Sequence, residues 1–238
     1  MNYFDKYVSY YDMNNSNINY KYYHSYRVMK NMEDLALKLK LSPKDVNLAK
    51  VIGLLHDIGR FEQNKLYNSF KDDKLDHGEY GVKVLKENNV LDNYEIDYED
   101  YETIYIAIKN HNKFQIATNL TKRQLFFTKL IRDADKLDIL HALGEKKYKQ
   151  YLRQDDRPIS KKISTSFFNN KPGNLKDALN YNDSLIITFS YIYDINFKET
   201  YKIIYEEKYY DKIYQRINCQ DIFFPYFQYT KKYLEKKI

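Results

Sequence analysis

Apolar residues recur at every third or fourth position over much of the chain, the period of a helix with one buried face. Between Asn17 and Leu39 the stripe runs through His24, Val28, Met32, Leu35 and Leu39, so it includes a histidine. Ser42-Pro43-Lys44-Asp45 reads as an N-cap, a proline at the first helical position and an acid in the first turn. It predicts a helix through Val46, Leu48, Ala49, Val51, Ile52, Leu54 and Leu55 toward His56-Asp57. This helix is apolar nearly all round at its end and is expected at the centre of the fold. Asp76, with Glu79 three residues later, opens another helix whose face carries His77, Gly81 and Val84. The acidic stretch from Tyr94 to Glu102 leads into a helix that aligns Ile104, Ala107 or Ile108, and His111. Thr121-Lys122-Arg123-Gln124 is a capping-box pattern, and the helix it heads runs through Leu125, Thr128, Ile131, Asp135 and Asp138. Five helices with short joins predict a helical bundle.

After about Pro158 the pattern changes. Residues 160–174 (SKKISTSFFNNKPGN) are polar, contain Pro172-Gly173 and read as a loop. Helical patterns resume from Asp183 to Tyr193, then from Asn196 and Glu199 to about Ile217, with a short one near the C-terminus. The expected architecture is all-α: a helical core over residues 1–158 and a helical extension over 159–238 packed on it. Composition agrees, because 6 glycines and 4 prolines in 238 residues fall far below the usual ~7% and ~5% and leave few turns for a many-stranded protein. There is no apolar run of membrane-spanning length, and the N-terminus lacks a basic start and an apolar signal core, so a cytoplasmic protein is expected. The net charge of +6 comes from lysines scattered among acids. It suits a small anionic substrate and gives little reason to expect nucleic acid. A single cysteine, Cys219, forms neither an internal disulfide nor a thiolate cage, so any metal must be held by His, Asp and Glu.

Such residues are present. His24, the pair His56-Asp57, His77, His111 and Asp135 sit at helix positions that can face the core. A lone buried histidine is usually structural, satisfied by a backbone or carboxylate partner. Six converging imidazoles and carboxylates are of the right type and number for two neighbouring metal ions. Adjacent residues on a regular helix diverge by about 100°, but Gly59 lies two residues beyond Asp57, so the pair can sit where its helix ends.

His24, then Leu54-Leu55-His56-Asp57-Ile58-Gly59-Arg60, then Arg132-Asp133-Ala134-Asp135-Lys136-Leu137-Asp138 resemble, in that order, the signature of the HD-domain superfamily of metal-dependent phosphohydrolases over about residues 20 to 140. His77 in Asp76-His77-Gly78-Glu79 and His111 in Asn110-His111-Asn112-Lys113 are similar to the two extra ligands of its binuclear branch. The resemblance implies a helical HD-domain bundle and two divalent metal ions, from among Mn, Fe, Ni, Co and Zn. It implies a first metal held by His24, His56, Asp57 and Asp135, with Asp57 bridging to a second completed by His77 and His111. Asp133 and Asp138 compete for the last position; Asp135 is taken because it belongs to the Ala-Asp pair of the family pattern, and the other two are expected to pair with solvent or with Lys and Arg. His141 fits no slot and is expected to be structural, near a helix end.

The implied reaction is hydrolysis of a phosphate ester of a nucleotide or other small phosphorylated metabolite, a monoester or a diester, by a metal-bridged hydroxide. Arg60, three residues after Asp57, is placed to hold the phosphate by its fork of donors, and the competing reading is an exposed arginine paired with Glu62. Of the further cations Lys109, Lys113, Arg132 and Lys136, Lys136 is expected at the site because it follows a ligand directly, and Lys113 is taken as a second substrate contact; the rest read as solvated charges. Arg60-Phe61 replaces the two acids that alarmone hydrolases carry after their HD pair, and the Gly-Tyr-Pro signature of cyclic-dinucleotide phosphodiesterases is missing. Two rival readings stand. HD-fold diiron oxygenases such as inositol oxygenase use the same six ligands, and a catalytically silent ligand-binding module would keep the scaffold, although such a module usually loses ligands.

Overall fold

The computed structural model describes residues 3–70, 72, 74–146, 152–218 and 220–238; Cys219 lies outside them. The described residues contain helices and no strand, as the apolar period predicts. The chain forms two compact units, one ending at Asp135 and the other starting at Lys136. The boundary expected from composition, at 158/159, falls inside the second unit.

The first unit contains α1 (Tyr3–Val8), α2 (Ser16–Lys38), α3 (Pro43–Leu55), α4 (Gly59–Tyr67), α5 (His77–Glu87), α6 (Tyr101–His111) and the opening turns of α7 (Lys122–Gly144). The helix starts follow the predicted capping chemistry. Ser42 Oγ accepts from the Asp45 amide and Asp76 Oδ1 from the Glu79 amide; a further cap, not expected from the sequence, is Asn15, whose Oδ1 accepts from the amides of Asn17 and Ile18 at the start of α2. At the head of α7 the capping box closes in both directions: Gln124 N donates to Thr121 Oγ1, and Thr121 N donates to Gln124 Oε1. Val28, Met32 and Leu35 of α2, Ile52 and Leu55 of α3, Phe61 of α4, Ile104 and Ile108 of α6 and Ile131 of α7 are fully buried and form the core. Arg123 donates to both Asp45 and Asp100, which ties the start of α7 to the starts of α3 and α6.

α1 and α4 are elements the apolar pattern does not predict. Six residues are too few to show a helical period, and α1 is held instead by its neighbours: Phe4 packs edge-on against Phe61, and Asp5 accepts from the hydroxyls of Tyr22 and Tyr26. In the second unit, α8 (Lys161–Phe168) corrects the reading of 160–174 as loop. Only Ile163 and Phe167, four apart, are buried in α8, too short a stripe to stand out from a polar run; Phe167 packs against Tyr193 and Tyr226. α9 (Tyr181–Phe189) continues into a 3₁₀ turn, Ser190–Asp194. The helix expected from 196 to 217 is two helices, α10 (Lys198–Glu206) and α11 (Tyr209–Tyr214), because Lys208 adopts the left-handed conformation with φ 53°. The C-terminal helix, expected to be short, is the 16-residue α12 (Gln220–Glu235).

Candidate metal centre

The chain brings its six candidate ligands together from five places: His24 from the middle of α2, His56 and Asp57 from the turn between α3 and α4, His77 from the first turn of α5, His111 from the last turn of α6, and Asp135 from α7. All four histidines and Asp57 are buried, whereas Asp135 is about one-fifth exposed. The His56-Asp57 turn is tightened, with Ile58 N donating to Leu55 O and Arg60 N donating to Asp57 O, three residues back in each case. This departure from the α-helical bond turns adjacent side chains toward one centre. Gly59 makes it fit, since a Cβ there would run into the backbone oxygen of His77 and lie 2.8 Å from Gly81 N.

Two sets of donors result. In the first, His24 Nε2 lies 3.3 Å from His56 Nε2, 3.3 Å from Asp57 Oδ2 and 3.2 Å from Asp135 Oδ1. In the second, His77 Nε2 lies 3.0 Å from His111 Nε2, and these nitrogens are 3.2 and 3.5 Å from Asp57 Oδ1. Asp57 therefore turns one oxygen to each set. Metal–nitrogen bonds of ~2.0–2.1 Å place neighbouring ligands of one ion ~3.0–3.4 Å apart, and all but the 3.5 Å separation of His111 from Asp57 fall in that range.

The far nitrogens of the rings settle the protonation of the near ones. His56 Nδ1 lies 2.7 Å from Gly53 O, and His111 Nδ1 lies 2.6 Å from Ile108 O. A carbonyl only accepts, so Nδ1 carries a proton, and in a neutral ring Nε2 is then the nitrogen with the lone pair. The same device serves at two helix ends, each histidine reaching back to the carbonyl three residues before it. His77 Nδ1 likewise donates to Asp72 Oδ1 at 2.7 Å. His77 and His111 thus face each other with their Nε2 atoms 3.0 Å apart, an arrangement that a cation between them would stabilise. Burial pushes the pKa of His56 down to about 3, against the pull of Asp57 and Asp135, and burial followed by the Arg60 charge lowers that of His77. At neutral pH both rings are therefore ready ligands. Burial works against the charge of Asp57, but Lys21 first, then His56, hold its carboxyl well below the usual range. His24 does the same for Asp135.

Of the three acids in the Arg132–Asp138 stretch, Asp135 offers an oxygen to the first set. Asp133 and Asp138 are buried. Arg132 is also buried and not solvated: its guanidinium donates to the backbone oxygens of Asn110, His111 and Lys113, closing the end of α6 that carries His111. Arg60 does not pair with Glu62. One terminal nitrogen donates to Gln63 Oε1, Phe70 O and Asp72 Oδ1, while its buried Nε makes no hydrogen bond and lies 3.6 Å from Asp57 Oδ1. Lys113 is paired with Asp76 and Glu79 at the start of α5. Lys136 lies 2.8 Å from Asp194, a contact within the second unit, where the ring of His141 packs edge-on against Tyr209.

A family profile for the HD domain matches residues 22–140, half of the chain. The chain belongs to the HD-domain family. Members of this family are typically metal-dependent phosphohydrolases that bind divalent ions. Searches of curated proteins and of solved structures returned no match. Among the described residues of this HD domain, no helix is long and apolar enough to cross a membrane. Two residues at the centre are not picked out by the sequence. Lys21 Nζ is 2.6 Å from Asp57 Oδ2, and its only signal is its place one helical turn before His24. Asp72 fixes the His77 ring from a segment with no periodic pattern; His77 and Arg60 hold its own pKa low against burial. Asp72→Asn is expected to weaken binding of one of two metal ions about 10- to 100-fold and leave the other unaltered, as read by Mn²⁺ titration of chelator-stripped protein. Two unchanged sites would remove Asp72 from the centre.

Proposed function

We propose that this HD domain is a metal-dependent phosphohydrolase acting on a phosphate ester of a nucleotide or another small phosphorylated metabolite. The observation that carries the reading is the pair of inward-facing donor sets joined by the two oxygens of Asp57, with their imidazole Nε2 atoms facing one another. His24, His56, Asp135 and Asp57 Oδ2 would hold one divalent ion; His77, His111 and Asp57 Oδ1 would hold the other. Bound there, the ions would supply Lewis acidity toward phosphoryl oxygens and would acidify a water.

The chain's own part is to position and to balance charge. Nδ1 contacts hold the rings of His56, His77 and His111 with Nε2 inward. The Arg60 guanidinium, braced on Gln63, Phe70 and Asp72 beside Asp57, is the cation we assign to the substrate phosphoryl group. Lys113 and Lys136 would have to leave Asp76 with Glu79, and Asp194, respectively, to share that role. Arg60→Ala is expected to raise KM for a phosphate ester about 10- to 100-fold, the worth of a charge-assisted contact, while the metal content stays at two. An unaltered KM would count against the phosphate contact. The reading itself is tested by assaying phosphate release from a nucleotide panel alongside oxygen uptake. Release without oxygen supports it; oxygen uptake with two irons and no release replaces it with a diiron oxygenase, and failure to bind metal replaces it with a silent binding module.

A further inference from the structure

Asp57 is flanked by cations on both sides. Lys21 Nζ is 2.6 Å from its Oδ2, and Arg60 Nε is 3.6 Å from its Oδ1. Both cations also lie over the Phe70 ring, each 5.6 Å from its centroid. Lys21 stands one turn before His24 on α2, which sends both side chains to the same side of the helix. Its side chain is 14% exposed, so Lys21 lies at the edge of the centre and is not sealed from solvent.

Charge and hydrogen-bond capacity give this placement a meaning. The three carboxylates of the site, Asp57, Asp72 and Asp135, are already nearly balanced by Lys21 and Arg60. Two divalent ions would add four positive charges and leave the centre with a marked positive excess. An ammonium has three donors, and Asp57 takes one, so two remain for an incoming anion. A phosphate monoester near neutral pH carries close to two negative charges and three terminal oxygens. A diester carries one charge and two such oxygens. The monoester is the better match.

We propose that Lys21 is a specificity-determining residue that donates to a terminal phosphoryl oxygen and selects doubly charged phosphate monoesters over diesters. The proposal rests on the phosphohydrolase reading and extends it. A lysine that only held Asp57 in place would act differently: its loss would weaken metal binding and reduce the affinity for all anions together.

The test is Lys21→Met, read by titration calorimetry with three probes: Mn²⁺ on chelator-stripped protein, then inorganic phosphate and dimethyl phosphate on the Mn²⁺-loaded form. Mn²⁺ is expected to bind at least as tightly as in the wild type, because a cation competing for Asp57 Oδ2 has been removed. Phosphate is expected to bind about 10- to 100-fold more weakly, the worth of a hydrogen bond between charged groups, and dimethyl phosphate to change less than about threefold. Weakened Mn²⁺ binding with equal losses for both anions overturns the proposal, as does unchanged phosphate affinity. Lys21→Gln, which keeps a hydrogen-bonding head without the charge, is read the same way should the methionine variant not fold. If the wild type binds neither anion and releases no phosphate from any ester, the phosphohydrolase reading falls and takes the proposal with it. If the wild type is active and the variant unchanged, the role of Lys21 alone falls.

Discussion

Asp57→Ala is expected to bring the metal content from two ions per chain to none and to reduce phosphate release by at least ~10³-fold, the several kcal/mol that metal ions contribute to a phosphoryl transition state. The size of the effect follows from geometry. Asp57 Oδ2 is 3.3 Å from His24 Nε2, and Oδ1 is 3.2 Å from His77 Nε2, so one carboxylate completes both donor sets. Removing it leaves two groups of imidazoles with less negative charge to hold a cation, and it takes from Lys21 the carboxylate it pairs with. The apolar core of α2, α3, α4 and α6 is untouched by this change, so a folded protein is expected, and circular dichroism checks it. Asp57→Asn keeps the shape and is expected to lose the metals as well. A variant that retains two ions per chain would show that Asp57 does not join the two sets.

Gly59→Ala is expected to strike the centre from behind. The added Cβ would meet the backbone oxygen of His77 and lie 2.8 Å from Gly81 N. Backbone cannot yield as a flexible side chain does, so the starts of α4 and α5 must separate. Overpacking of this kind costs about 1–3 kcal/mol or more, which for a unit of this size lowers Tm by roughly 5–10 °C. The same displacement draws His77 away from Asp57 and His111, so one of the two metal sites is expected to weaken at least tenfold while the other persists. A Tm within a degree of the wild type, with two tight sites, would show that α4 and α5 can part without moving the ligands.

The contrast between what is legible in the sequence and what is not has physical causes. Cap chemistry is local, and Ser42, Asp76 and Thr121 mark the starts of α3, α5 and α7 because each side chain bonds the amide three residues on. The family resemblance places His24, His56, Asp57, His77, His111 and Asp135 in one ordered set, and the fold gathers them. Lys21 and Arg132 escape this reading because a cation on a helix face is usually solvated, and only the tertiary fold turns one onto Asp57 and the other onto the end of α6. Asp72 escapes it because its role depends on the fold of the segment before α5. α8 escapes it because its apolar face is two residues wide and completed by aromatics from distant helices.

The most direct measurement is phosphate release, under anaerobic conditions, by chelator-stripped protein titrated with Mn²⁺ against a panel of nucleotides. Release that is absent without metal and climbs until two ions are bound per chain is the expected outcome. No release from any ester at two ions per chain would refute a binuclear phosphohydrolase at this centre.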